Sequence, residues 1–119
     1  MPAPEEHWQK YESQGGGEKS PVSNAFRALE ACAIKNIVPP QEWFDQMEKN
    51  HSPATLEKIA TERLARKENK SEYDDGPVQH TLRAYAKRWS KMHDEQIKHE
   101  IENDGNLATE KVAQIIYTR

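Results

Sequence analysis

Proline divides this chain more firmly than any other residue. Pro39-Pro40 and Pro53 stand where a helix cannot run on, because proline lacks the N–H that the preceding turn needs and its ring collides with that turn. Its fixed φ nonetheless suits the first turn of a new helix. Each is read as a stop followed by a restart. Asn103-Asp104-Gly105-Asn106 makes a further break, since these residues accept left-handed backbone angles and close helices as C-caps.

Between the breaks, apolar residues recur at helical spacing. A first helix is expected from Ser23 or Asn24, either of which can cap it with a side-chain oxygen. It runs through Phe26, Leu29, Ala33 and Ile37, with Ala25, Ala28 and Cys32 on the same side. Trp43, Phe44 and Met47 mark a short second helix. Ser52-Pro53 opens a third, with a buried stripe of Leu56, Ile59, Ala60 and Leu64 and an end near Arg66. Lys67 to Pro77 has no apolar period and closes on Asp-Asp-Gly-Pro, which predicts a solvated loop. From Val78, the positions Leu82, Tyr85, Trp89, Met92, Ile97 and Ile101 trace a long helix; the gap between Met92 and Ile97 leaves open whether it is one helix or two. Leu107, Val112, Ile115 and Ile116 build a last helix capped by Thr109. The expected fold is all-α: a compact bundle of about five helices in a single domain over residues 22–119, with a flexible N-terminal arm over 1–21 and a helix-turn-helix-like pair at the C-terminal end.

Hydrophobic residues make up 34% of the chain and charged ones 31%, so only one face of each helix can be buried. Valine, isoleucine, threonine and aromatics do not alternate in strand-length runs, so no sheet is expected. No stretch approaches the roughly 20 apolar residues of a membrane span, and Met-Pro-Ala-Pro-Glu-Glu lacks the basic and apolar regions of a signal peptide. The expectation is a cytoplasmic protein with no membrane partner. Cys32 alone can neither close an internal disulfide nor supply a structural zinc site; it is read as a small buried apolar residue. Seventeen Lys and Arg against twenty Asp and Glu give a net charge of −3. Nucleic-acid-binding domains usually carry the opposite sign, although a local patch can outweigh the total.

Residues 1–21 hold Pro2, Pro4, Gly15, Gly16, Gly17 and Pro21 and few apolar side chains, the composition of a flexible arm. Trp8 and Tyr11, three residues apart, share one face of a short helical turn. They either pad the domain's own surface or serve as a mobile aromatic anchor for a partner.

Residues 94 to 118, joined by the Asp-Gly-Asn turn, have the outline of a helix-turn-helix. Ile101, Leu107, Val112 and Ile115 are spaced like the residues that hold that motif's crossing angle. Glu102 stands where the motif needs a small residue, and Gly105 where it has an apolar one. On this reading Glu110, Lys111, Gln114, Thr118 and Arg119 form the exposed face of a recognition helix, with Gln and Arg suited to base edges and Lys to phosphate. Arg83, Lys87, Arg88, Lys91 and Lys98 would add backbone contacts. The other reading is a plain helical hairpin that closes the core.

The string Phe26-Arg27-Ala28-Leu29-Glu30-Ala31-Cys32, followed by Pro39-Pro40-Gln41-Glu42-Trp43, resembles small uncharacterised helical proteins of bacterial phages and mobile elements. Those tend to end in a similar helix-turn-helix-like segment, here Thr109 to Arg119. The resemblance implies a mobile-element setting and supplies no activity or site residues.

Catalytic patterns are not apparent. His7, His51, His80, His93 and His99 are scattered, and His93 and His99 point to different sides of a helix. Glu95 and His99 share a face, the usual arrangement of a solvated pair. Gly15-Gly16-Gly17 has no strand before it and no Lys-Ser or Lys-Thr after it, so it is no phosphate loop. The expected function is non-enzymatic, without cofactor or metal: a protein-interaction module, or an inhibitor or adaptor of phage or mobile-element type, acting on a host or phage protein through helix surfaces and the Trp8/Tyr11 arm. The alternative is a small helix-turn-helix-like DNA-binding regulator, working as a homodimer because one short recognition helix binds weakly.

Overall fold

In the computed structural model, which describes residues 3–15, 21–69 and 76–103, the regular structure is five α-helices: α1 (Pro4–Ser13), α2 (Ser23–Ile34), α3 (Gln41–Asn50), α4 (Pro53–Asn69) and α5 (Gly76–Asn103). The all-α expectation holds, but the membership differs. The first helix was not expected, and the predicted helix at Thr109–Arg119 lies outside the described residues.

α1 corrects the reading of a flexible arm over residues 3–15; the rest of that expected arm, residues 1–2 and 16–20, lies outside the described residues. Pro4 occupies the first turn, Glu5 and Glu6 sit at the positive N-terminal end of the helix dipole, and Lys10 sits in the last turn. Gly15, at φ 109°, ends the segment, with its N–H donating to the Glu12 carbonyl at 3.0 Å. Ten residues are too few for a stable isolated helix. α1 is held by docking, since Pro4, Trp8 and Tyr11 are buried and the helix packs along α2.

α2 is the central element, with eight of its twelve residues buried. Ala25 and Ala28 let neighbours approach closely, while Phe26 and Leu29, both fully buried, supply about 1.5–3 kcal/mol each. Its start departs from expectation. Neither Ser23 nor Asn24 caps it; Phe26 N–H already bonds the Val22 carbonyl at 3.1 Å. Asn24 is instead buried, donating to Gln14 Oε1 at 2.9 Å and accepting from Arg27 at 3.0 Å.

The end of α2 also comes sooner than Ile37. Asn36 takes a left-handed φ of 56°, its N–H donates to the Ala33 carbonyl at 3.1 Å, and Ile37 N–H donates to the Cys32 carbonyl at 3.0 Å. This is the Schellman arrangement, with asparagine where glycine is commonest. Ile37 therefore leaves the buried stripe. Replacing Asn36 by Gly should stabilise the fold by about 0.5–1 kcal/mol, and replacing it by Val should cost about 1–2 kcal/mol, because a β-branched side chain resists positive φ. Urea midpoints of the two variants check both signs.

α3 begins after Pro40, and α4 begins at Pro53 behind a Ser52 cap, whose Oγ accepts from Thr55 N–H at 3.2 Å. α4 runs on to Asn69 and α5 starts at Gly76, so the loop predicted over Lys67–Pro77 is shorter at both ends. α5 passes Met92 and Ile97 without a break and is one helix. It packs along α4 and against α2, burying Val78, Leu82 and Trp89. α3 reaches its neighbours chiefly through long side chains: Trp43 lies on Trp8 of α1, and Phe44 meets the Tyr85 ring of α5 edge-on at 5.3 Å.

Two carboxylates brace the helices. Glu30 of α2 takes both Nε and Nη2 of Arg63 on α4, at 2.7 and 2.8 Å, with the two side chains only 10% and 12% exposed. Glu48 of α3 accepts from Arg88 at 2.9 Å and from the Trp89 indole N–H at 3.2 Å, both on α5.

Candidate functional site

The residues singled out in the sequence separate into three groups. Trp8 and Tyr11 cannot anchor a partner from a mobile arm, because they are 5% and 0% exposed. The Trp8 indole stacks on Trp43 with ring centres 5.0 Å apart and planes 9° from parallel. The Tyr11 hydroxyl and His51 Nε2 share a buried hydrogen bond of 2.7 Å. Burial raises the Tyr11 pKa, although a hydrogen bond with the Asn50 side chain acts the other way. These aromatics therefore join α1 to α3.

The second group is on α5. Arg83, Lys87, Arg88, Lys91 and Lys98 are all exposed, and the partners of Arg88 lie on α3. Its guanidinium is held by Glu48 and lies over the Phe44 ring at 5.6 Å, and the Glu48 hydrogen bond raises its pKa further. It works as a brace. At about 100° per residue, Arg83, Lys87, Lys91 and Lys98 fall within roughly an 80° arc of the helix surface, and they extend over about 22 Å. The stripe is thus confined to one face of α5.

The third group, Glu110, Lys111, Gln114, Thr118 and Arg119, lies outside the described residues. The first half of the expected helix-turn-helix, residues 94–103, is the end of α5 and not a separate helix.

Two features were not foreseen. Ile34, Ile37 and Val38, 49%, 47% and 91% exposed, are the large apolar side chains left most open to solvent among the described residues, and they lie within five positions of one another. The corner between α2 and α3 that presents them is fixed by the Asn36 turn and by Pro39-Pro40. The sequence signal was an apolar pair directly before a double proline, of which periodicity alone assigns Ile37 to the buried stripe. The second feature is a small cleft of about 180 Å³ between α2 and α4, lined by Arg27, Arg63, Arg66 and Lys67. Arg63, Arg66 and Lys67 share a helix face by spacing; only the packing of α2 on this side adds Arg27.

Several groups with catalytic potential have structural partners. An open cleft of about 430 Å³ has Glu48, His51, Ser52 and Gln96 on its walls, but Glu48 is held by Arg88 and Trp89, His51 by Tyr11, and Ser52 by Thr55. Cys32 is buried, and desolvation pushes its thiol pKa up, away from the nucleophilic thiolate. Burial likewise carries the Tyr85 hydroxyl up to about 12. His93 Nδ1 sits 3.8 Å from Glu57 across the α4–α5 seam. Among the described residues no three His, Cys, Asp or Glu side chains converge as a ligand set, and no helix there is long and apolar enough to cross a membrane.

No protein-family model matches the chain, and neither a curated protein nor a solved structure matches it. Of the strings Phe26–Cys32 and Pro39–Trp43 singled out in the sequence, Phe26, Ala28, Leu29, Cys32 and Trp43 are buried packing residues. They speak to how the helices meet more than to what they bind.

Proposed function

We propose that this chain is a non-enzymatic binding protein that engages a protein partner through the α2–α3 corner, in the setting of a phage or mobile element. The observation that carries this reading is the clustering of Ile34, Ile37 and Val38 on solvent. Single exposed apolar residues are ordinary, but adjacent ones on a fixed corner form the kind of small anchor that interfaces bury at their centre. The corner is rigid through the Asn36 turn, so little ordering cost attaches to its burial. It replaces the Trp8/Tyr11 arm as the anchor.

The test is the double variant Ile37→Asp/Val38→Asp in the full chain. Both positions are open, so stability should move by no more than about 0.5 kcal/mol per site. Affinity for a partner captured by wild-type protein and then purified should fall by at least about 2 kcal/mol, some thirtyfold. Unchanged affinity with intact helicity would remove the corner from the interface.

A second reading is supported by the α5 stripe. Arg83, Lys87, Lys91 and Lys98 on one face suit the spacing of a phosphate backbone, and DNA bound there would be released steeply by salt. A low-salt DNA shift lost in Lys87→Glu/Lys91→Glu but kept in the corner variant would favour that reading over the first.

A further inference from the structure

We infer that the cleft between α2 and α4 is an anion site for a phosphoryl group, independent of the apolar corner. Four cationic side chains, Arg27, Arg63, Arg66 and Lys67, line it, and Glu30 is the carboxylate bonded within it, through Arg63. Counted by the three arginines alone, the charge against Glu30 leaves a local excess of about two in a chain whose total is −3. Like charges three and four residues apart on α4 each cost a few tenths of a kcal/mol, and a concave wall concentrates their field. An arriving anion relieves that repulsion.

The guanidinium groups are also positioned. Arg63 gives Nε and Nη2 to Glu30, which fixes the plane of its fork and leaves Nη1 for a ligand. Arg27 gives Nη1 to Asn24 Oδ1 at 3.0 Å, and Asn24 is itself set by its bond to Gln14. Arg66 makes no ion pair or hydrogen bond among the described residues. Basic residues in the last turn of α4 complement the negative end of the helix dipole. That accounts for Arg66 and Lys67 but not for Arg27 on another helix, and the dipole's half charge is small beside an excess of about two. The volume, about 180 Å³, admits a tetrahedral oxyanion but falls short of the roughly 300 Å³ that a larger ligand needs. Arginine forks meet phosphoryl oxygens two at a time, and a dianion answers more of the excess than a carboxylate does.

Titrating inorganic phosphate and pyrophosphate into the full chain at constant ionic strength should give saturable shifts of the Arg27 and Arg66 Nε–Hε NMR signals and a higher thermal midpoint. Arg27→Ala/Arg66→Ala should weaken binding by about tenfold or more at unchanged helical signal, while Lys87→Ala/Lys91→Ala leaves it alone. If the alanine pair loses helicity, Arg27→Lys/Arg66→Lys keeps the charge and removes only the fork; it should still bind several-fold more weakly. O-phosphoserine tests the source. Tighter binding than inorganic phosphate assigns the group to a phosphorylated chain; equal or weaker binding assigns it to the free ion. Equal response to acetate or chloride, or unaltered pyrophosphate binding in the arginine variants, overturns the assignment.

Discussion

Trp8→Ala should cost the fold about 3–5 kcal/mol, the range for removing a large aromatic from a packed core. The indole is 5% exposed and contacts Trp43 and Tyr11 with ring centres 5.0 and 4.9 Å away, and ten residues of α1 depend on this contact and on Tyr11 for their place on α2. A domain of this length has only about 5–15 kcal/mol in total, so the loss is a large share of its stability. An exposed tryptophan on a mobile arm would give a change within about 0.5 kcal/mol. Denaturant unfolding distinguishes the two, and a loss below about 1 kcal/mol would return residues 1–21 to the arm reading.

The second large effect concerns Glu30 and Arg63. Removing the guanidinium with Arg63→Met leaves a carboxylate that is 7% exposed without its fork; stranding a nearly buried charge costs on the order of 3 kcal/mol. Glu30→Leu strands the arginine in the same way. The double variant should lie within about 1 kcal/mol of wild type, because an apolar pair of similar volume avoids the desolvation that the ion pair must offset. A double-mutant cycle by urea unfolding gives all three values. Additive losses would show that the pair contributes no specific coupling and that each side chain acts by its packing alone.

Much of this architecture was legible in the sequence because proline acts locally. Pro40 and Pro53 act through their own rings, so the starts of α3 and α4 follow from neighbours a few residues away. The buried stripe of α4, Leu56 and Ala60 with Ile59 and Leu64, likewise repeats at a period that needs no knowledge of its partners. α1 was not legible. Its local signals, Pro4 and the acidic pair that follows, were present, but a ten-residue helix gains its stability from Trp43 and His51, some 35 to 40 positions away. Ile37 failed for the opposite reason: it keeps the helical period, and a single left-handed asparagine takes it off the helix.

The ends of α4 and α5 were hidden by their chemistry. Arg66 and Lys67 carry α4 onward with no apolar period, and Gly76-Pro77 gives the same first-turn signal as Pro53 but reads as a turn when it follows two aspartates. For the candidate sites, the α5 cations were legible as a list of exposed residues, but not the removal of Arg88 from it, since Glu48 comes from a different helix. The cleft required Arg27 and Arg63 to meet across α2 and α4. Neighbouring helices bring charges together at distances along the chain that no spacing rule reaches.

The stacked indoles of Trp8 and Trp43 also give the molecule an optical gauge of its own. The chain has three tryptophans, all buried; two form this face-to-face pair across α1 and α3, and the third, Trp89, meets Phe26 of α2. Undocking of α1 would part the pair, whereas the Trp89 contacts with Phe26 and Glu48 do not involve α1. Near-ultraviolet ellipticity from the coupled rings would therefore report the release of the first helix, and far-ultraviolet ellipticity the melting of the bundle, without any label being attached.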